Sequence, residues 1–158
     1  MTLGLPYDSD SGRALAATVT ALMTGVAFMT SAELAARLEP LTGYSRDAES
    51  VLQVLYMHRE AMGKIDEKLV SPELFSSATQ IWDDTLEIAR TSGVRNAQAT
   101  LLAPTGTISF LMDCGTTGVE PAFSLVSYKK LVGGGNMILP VQCVESALVR
   151  LGYSESDR

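Results

Sequence analysis

Apolar positions recur at helical spacing through the first two-thirds of the chain, then give way to short runs broken by glycine. From Gly12 to about Met29, the residues Leu15, Val19, Leu22, Met23 and Val26 fall on one face, which predicts a helix. Asp8, Ser9, Asp10 and Ser11 supply candidate N-caps for it. Thr30 or Ser31 is expected to cap a second, shorter helix, with Glu33 in its first turn and Pro40 ending it. A loop at Gly43 and Tyr44 follows. Ser45 then precedes a helix holding Val51, Leu52, Leu55 and Met62, which runs to about Lys64. The next helix is signalled more strongly. Ser71 stands at N-cap, Pro72 at N1 and Glu73 behind it, with Leu74, Ile81, Trp82 and Ile88 at helical spacing and Gly93 closing the end.

Beyond Gly93 the texture changes. Gln98 to Leu102 reads as a short buried strand that runs directly into Pro104 and a Thr/Gly turn. Gly115, Gly118 and Pro121 come next, followed by a strand-like Phe123 to Leu131. Gly133, Gly134 and Gly135 suit a turn between strands, and Val141 to Leu151 is expected to be a last helix. The predicted fold class is mixed α/β, with a helical segment over residues 1–93 and a strand–loop–helix segment over residues 94–158.

Composition narrows the function classes. The 158 residues fit one domain, and 46% apolar residues are enough for an ordinary core. A net charge of −6 argues against a nucleic-acid-binding surface but leaves room for a local anion site built from backbone amides. No uninterrupted apolar run approaches the roughly 20 residues of a membrane span, and the opening MTLGLPYDSDSGR lacks the basic and apolar regions of a signal peptide. The 2 cysteines, Cys114 and Cys143, make no disulfide framework and fit a reducing, cytoplasmic setting. With His58 as the one histidine, these groups do not assemble a tetrahedral zinc site without outside ligands.

Candidate chemistry concentrates in Ala103-Pro104-Thr105-Gly106-Thr107-Ile108-Ser109. A strand empties into a turn of small residues, and an apolar segment (Ile108, Phe110, Leu111, Met112) resumes at once. If that segment is helical, its first amides are unpaired and attract an anion. Gly106 lets a phosphate approach the backbone, and the hydroxyls of Thr105, Thr107 and Ser109 offer further hydrogen bonds. The alternative is a capped helix after a strand, with the threonines satisfying the amides themselves. No Gly-x-x-x-x-Gly-Lys is present, so this is not a P-loop.

Several other residues have plain structural uses. Cys114 suits a packed or loop thiol, and Cys143 a core position of the last helix. His58, beside Arg59 and Glu60, suits a solvated helix face. Glu120 suits an acceptor for the backbone amides of the turn from Thr116 to Val119. Of Lys129 and Lys130, strand alternation lets one face inward, where it might balance phosphate charge; a solvated pair is the other option.

The segment APTGTIS resembles the substrate-phosphate loop of ribonucleotide reductase large subunits, in the form typical of the adenosylcobalamin-dependent (class II) enzymes. Further segments resemble the same family in the same order: Gly4 to Asp10, Ala21 to Gly25, Arg95 to Gln98, Met112 to Pro121, Ser127 to Leu131, and the triple glycine. The resemblance implies a ten-stranded α/β barrel and reduction of a ribonucleoside di- or triphosphate by thiyl radical chemistry. It implies adenosylcobalamin as cofactor and a thioredoxin-like thiol reductant as partner. On it, Pro104, Thr105, Gly106, Thr107, Ile108 and Ser109 bind the substrate phosphates. The family's Asn-x-Cys-x-Glu finger loop is absent, so no catalytic residue is assigned to this chain. The resemblance is to an internal piece of the catalytic subunit, inactive alone. The competing expectation is a non-catalytic fragment that completes a barrel with a separately encoded half.

Overall fold

The computed structural model describes residues 3–141 and 143–157. The chain divides into two compact units, Asp10–Leu101 and a second made of Met1–Ser9 with Leu102–Arg158.

The first unit is helical: α1 (Asp10–Leu38), α2 (Tyr44–Met62) and α3 (Pro72–Ser92), with a short 3-10 turn at Glu67–Leu69. Helix α3 starts and stops where its sequence signals lie. The Ser71 hydroxyl accepts from the Leu74 amide at 3.2 Å, and Pro72 occupies the first turn. At the other end Gly93 adopts φ 71°, and its N–H donates to the Ala89 carbonyl. Helix α2 begins at Tyr44, one residue ahead of the expected Ser45.

Helix α1 departs from expectation in two ways. It runs unbroken through Thr30 and Ser31, where a second helix was expected to start. Ser31 is buried, and its hydroxyl serves the chain after α3: it accepts from the amides of Arg95 and Asn96 and donates to the Asn96 Oδ1. The helix ends short of Pro40, and the Arg95 guanidinium takes the orphan carbonyls of Leu38, Glu39 and Pro40.

The second departure concerns which face is buried. Leu15 and Leu22 are half-buried, whereas Val19, Met23 and Val26 are exposed. The stripe turned inward is Ala14, Thr18, Gly25, Phe28, Ala32 and Ala35, spaced by three, four and seven. Small side chains there let α1 approach α3 closely enough for Trp82 to reach across and donate to the Ala21 carbonyl at 3.0 Å. Close packing of a large ring against small residues outweighs the count of bulky apolar positions. The resulting core joins Phe28 and Ala32 to Leu55, Met62, Ala78, Trp82, Leu86, Ala89 and Val94.

By length and composition α1 could also span a membrane, with 29 residues and a stretch of mean hydropathy 1.5. It behaves instead as a core helix: Thr18, Thr24 and Ser31 on its inner side are buried and hydrogen-bonded within the unit.

Residues Gln98 to Leu102 form no strand. Leu101 and Leu102 are more than three-quarters exposed, and among the described residues no strand lies alongside to satisfy their backbone. A strand exists only where its ladder is paired.

The second unit contains α4 (Gly106–Leu111), an antiparallel hairpin of β1 (Val126–Lys130) and β2 (Asn136–Pro140), and α5 (Val144–Arg150). The hairpin pairs Val126 with Pro140 and Lys130 with Asn136. Its turn places Gly133, Gly134 and Gly135 all at positive φ, which accounts for three consecutive glycines. Strand β1 is shorter than the expected Phe123 to Leu131. Helix α5 starts three residues after Val141, with Gln142 outside the described residues. Tyr7 donates to the Val119 carbonyl at 2.8 Å and so ties the start of the chain to this unit.

Candidate functional site

The loop from Pro104 to Ser109 leads into α4, whose first residue is Gly106. Thr105 takes a left-handed conformation, φ 37° and ψ 55°. That region is costly for a β-branched residue, and here the side chain is held by two hydrogen bonds. Its Oγ1 accepts from the Gly118 N–H at 2.7 Å and from the Ser109 hydroxyl at 2.9 Å. Neither bond caps α4: Thr105 makes no side-chain bond to the helix amides. The simple capping alternative therefore does not describe Thr105, because its acceptor sites are turned to a different segment.

The six predicted residues fall into two groups. Ser109 is buried and Thr105 half-buried, both facing the supporting turn. Pro104, Gly106, Thr107 and Ile108 are exposed. A methyl group added at Gly106 would meet no atom within 4 Å, so the backbone there opens on free space. The first amides of a helix have no partner within it. The exposed side of the loop thus presents backbone N–H groups and the Thr107 hydroxyl, while Ser109 spends its proton on Thr105.

The supporting turn is fitted closely. The Cys114 N–H donates to the Ser109 carbonyl at 2.9 Å. Gly118 has φ 58°, and a Cβ there would lie 2.6 Å from the Ala103 carbonyl oxygen. Sequence reading missed this pairing of Thr105 with Gly118. The signal lay in the glycine itself, at a spacing from Thr105 that only the folded turn gives meaning.

Other candidates take definite places. Glu120 is exposed, and the Gly118 amide it was expected to hold goes to Thr105. Cys114 is an exposed loop thiol, and Cys143 is half-buried at the N-cap of α5 rather than inside that helix. Both cysteines are free. His58 keeps an exposed position on α2, yet its ring stacks on Trp82 with centroids 5.2 Å apart. Lys129 is the lysine drawn to α4: its Nζ lies 4.5 Å from the centre of the Phe110 ring. Behind α4 a hollow of about 260 Å³ is lined by Ser109, Phe110, Cys114, Pro121, Ser127 and Val141 among others. Among the described residues, no group of three or more His, Cys, Asp or Glu side chains gathers as a metal site would require.

Residues 1–158 match the ribonucleotide reductase barrel domain over the whole chain. The chain belongs to the ribonucleotide reductase barrel-domain family. It is 50% identical over 153 residues to the vitamin B12-dependent ribonucleotide reductase of Rhodopirellula baltica. It is 46% identical over 172 residues to the protein of that name from Bradyrhizobium diazoefficiens, and 47% over 158 residues to that of Streptomyces avermitilis. These alignments take in 97%, 99% and 98% of this chain but 15%, 14% and 16% of the relatives. Membership of the reductase family agrees with the resemblance carried by APTGTIS and its flanking segments. The observed structure is mostly helical with one small two-stranded sheet.

Proposed function

We propose that this chain is part of a cobalamin-dependent ribonucleotide reductase and that its loop from Pro104 to Ser109 receives the phosphates of a ribonucleoside di- or triphosphate. The observation that carries the proposal is the division of the loop. Thr105 and Ser109 are committed inward, while Gly106 and Thr107 leave an open, amide-bearing side free of side-chain caps. Such a surface suits an oxyanion, and fixing the substrate's phosphates is a positioning task rather than a chemical one. Lys129 adds a positive charge on the flank of α4 despite the acidic chain.

The radical-bearing cysteine, the ten-stranded barrel and the site of thiol reduction belong, on this proposal, to other residues of a longer polypeptide. Exposure of Val19, Met23 and Val26 on α1 and of Leu101 and Leu102 supports completion by further protein. Cobalamin is the cofactor in the relatives' name, but the hollow behind α4 is too small for it. At about 260 Å³ it falls below the roughly 300–1,000 Å³ of pockets for drug-sized ligands. No step of cobalamin chemistry is therefore assigned to these residues. A reducing cytoplasmic setting and a thioredoxin-like reductant complete the proposal, with the two free cysteines consistent with it.

The test is a titration of the chain with CDP and CTP against cytidine, in the wild type and in Gly106→Val. Because the space at Gly106 is open, valine is accommodated in the fold while filling the ground a phosphate would occupy. Phosphate-dependent binding that Gly106→Val abolishes supports the proposal. A folded wild-type chain that treats CDP, CTP and cytidine alike refutes it.

A further inference from the structure

We infer that Thr105 is a positioning residue: its hydroxyl latches the loop from Pro104 to Ser109 onto the turn that ends at Gly118, and so sets the shape of the phosphate-binding side. The inference rests on the proposed function above and adds to it the part that holds the loop in place. The ordinary expectation for a threonine in such a loop is direct contact with the anion. Here its oxygen receives two protons, from the Gly118 N–H at 2.7 Å and the Ser109 hydroxyl at 2.9 Å, which fills both lone pairs. A β-branched residue at φ 37° is not chosen for comfort. Glycine would take this backbone without strain, so the hydroxyl is what a threonine contributes.

Three further contacts make the latch a unit. The Cys114 N–H donates to the Ser109 carbonyl, bringing the start of the turn against the same segment. Gly118 lies so close to the Ala103 carbonyl oxygen that no side chain fits between them. Tyr7 then holds the next residue, Val119, through its carbonyl. The loop is thus gripped on its inner side at Ala103, Thr105 and Ser109, while Gly106 and Thr107 stay open.

The experiment compares wild type with Thr105→Val, Thr105→Ser and Thr105→Gly, reading Gly118 amide exchange by NMR and CDP affinity by titration. Valine keeps the shape and removes the acceptor. Serine keeps the acceptor, and glycine relieves the backbone strain while losing the hydroxyl. The expected result is rapid exchange at Gly118 and about tenfold weaker CDP binding in both Thr105→Val and Thr105→Gly, with Thr105→Ser restoring both. Hairpin amides that keep their wild-type shifts exclude general unfolding, and the glycine variant covers the case in which valine does not fold. Unchanged Gly118 protection in Thr105→Gly overturns the latch. Lost protection with unchanged CDP affinity overturns its positioning role. A wild-type chain without phosphate-dependent binding refutes the proposed function itself, and the positioning role with it; that failure is visible before any variant is made.

Discussion

Trp82 packs over Gly25, with its indole nitrogen 3.2 Å from where a Cβ on that glycine would stand. The Ile81 Cγ2 would be closer still, at 2.6 Å. The seam between α1 and α3 is therefore closed to even one added methyl group. Gly25→Ala gains roughly 1 kcal/mol of helix propensity but forces overpacking worth about 1–3 kcal/mol. The expected net is destabilisation, and Gly25→Val should be worse. Trp82 is the one tryptophan in the chain and is buried, so its fluorescence during urea unfolding measures the effect directly. A Gly25→Val chain as stable as wild type would contradict this packing.

Ser31 links α1 to the chain that follows α3. Its oxygen accepts from the amides of Arg95 and Asn96 at 3.1 and 2.8 Å. Ser31→Ala removes that acceptor in a buried place and is expected to cost about 1–3 kcal/mol. Amide exchange at Asn96 should accelerate well beyond that of the α2 amides. Equal acceleration everywhere would mean a global effect instead of a lost local anchor.

Tyr44 gives the helical unit an alkaline limit. Burial pushes its phenol above the ordinary 10.0, because the ionised form loses water that the neutral form does not need. The folded pKa is then the higher one. This contribution to stability is complete below pH 10 and is lost as pH rises through the folded value. A phenolate absorbance titration should show one of the 5 tyrosines ionising late, and Tyr44→Phe should remove that late step. Five tyrosines titrating together would refute the claim.

The same ring stands against Gly93. A Cβ at Gly93 would lie 2.7 Å from the Tyr44 Cε1, and the backbone there is left-handed. Gly93→Ala should lower the melting temperature, and Tyr44→Leu should recover part of the loss by removing the clash. The strain of the positive φ, about 1 kcal/mol or more, should remain in the double variant. Full recovery would place the whole cost in the clash.

Met23 and Val26 belong to an apolar surface that the described residues leave uncovered. Met23→Glu with Val26→Lys should raise solubility and suppress concentration-dependent association in sedimentation, with little change in melting temperature. A large fall in melting temperature would show that these side chains support the core after all.

Local chemistry was legible in the sequence where it acts locally. The Ser71, Pro72 and Gly93 signals bound α3 because caps satisfy backbone groups within one turn of themselves. The triple glycine made its turn because only glycine takes three successive positive φ values cheaply. APTGTIS and its ordered flanks were enough to indicate the family before any coordinates. Tertiary structure decided the rest. It chose the small-residue stripe of α1 over the bulky one, because packing depends on what Trp82 presents from the opposite helix. It left residues 98–102 irregular, because a strand needs a neighbour that no local signal supplies. It also turned the Thr105 hydroxyl away from α4 and onto Gly118, a partner thirteen positions along the chain, brought within reach only when the turn between them closes.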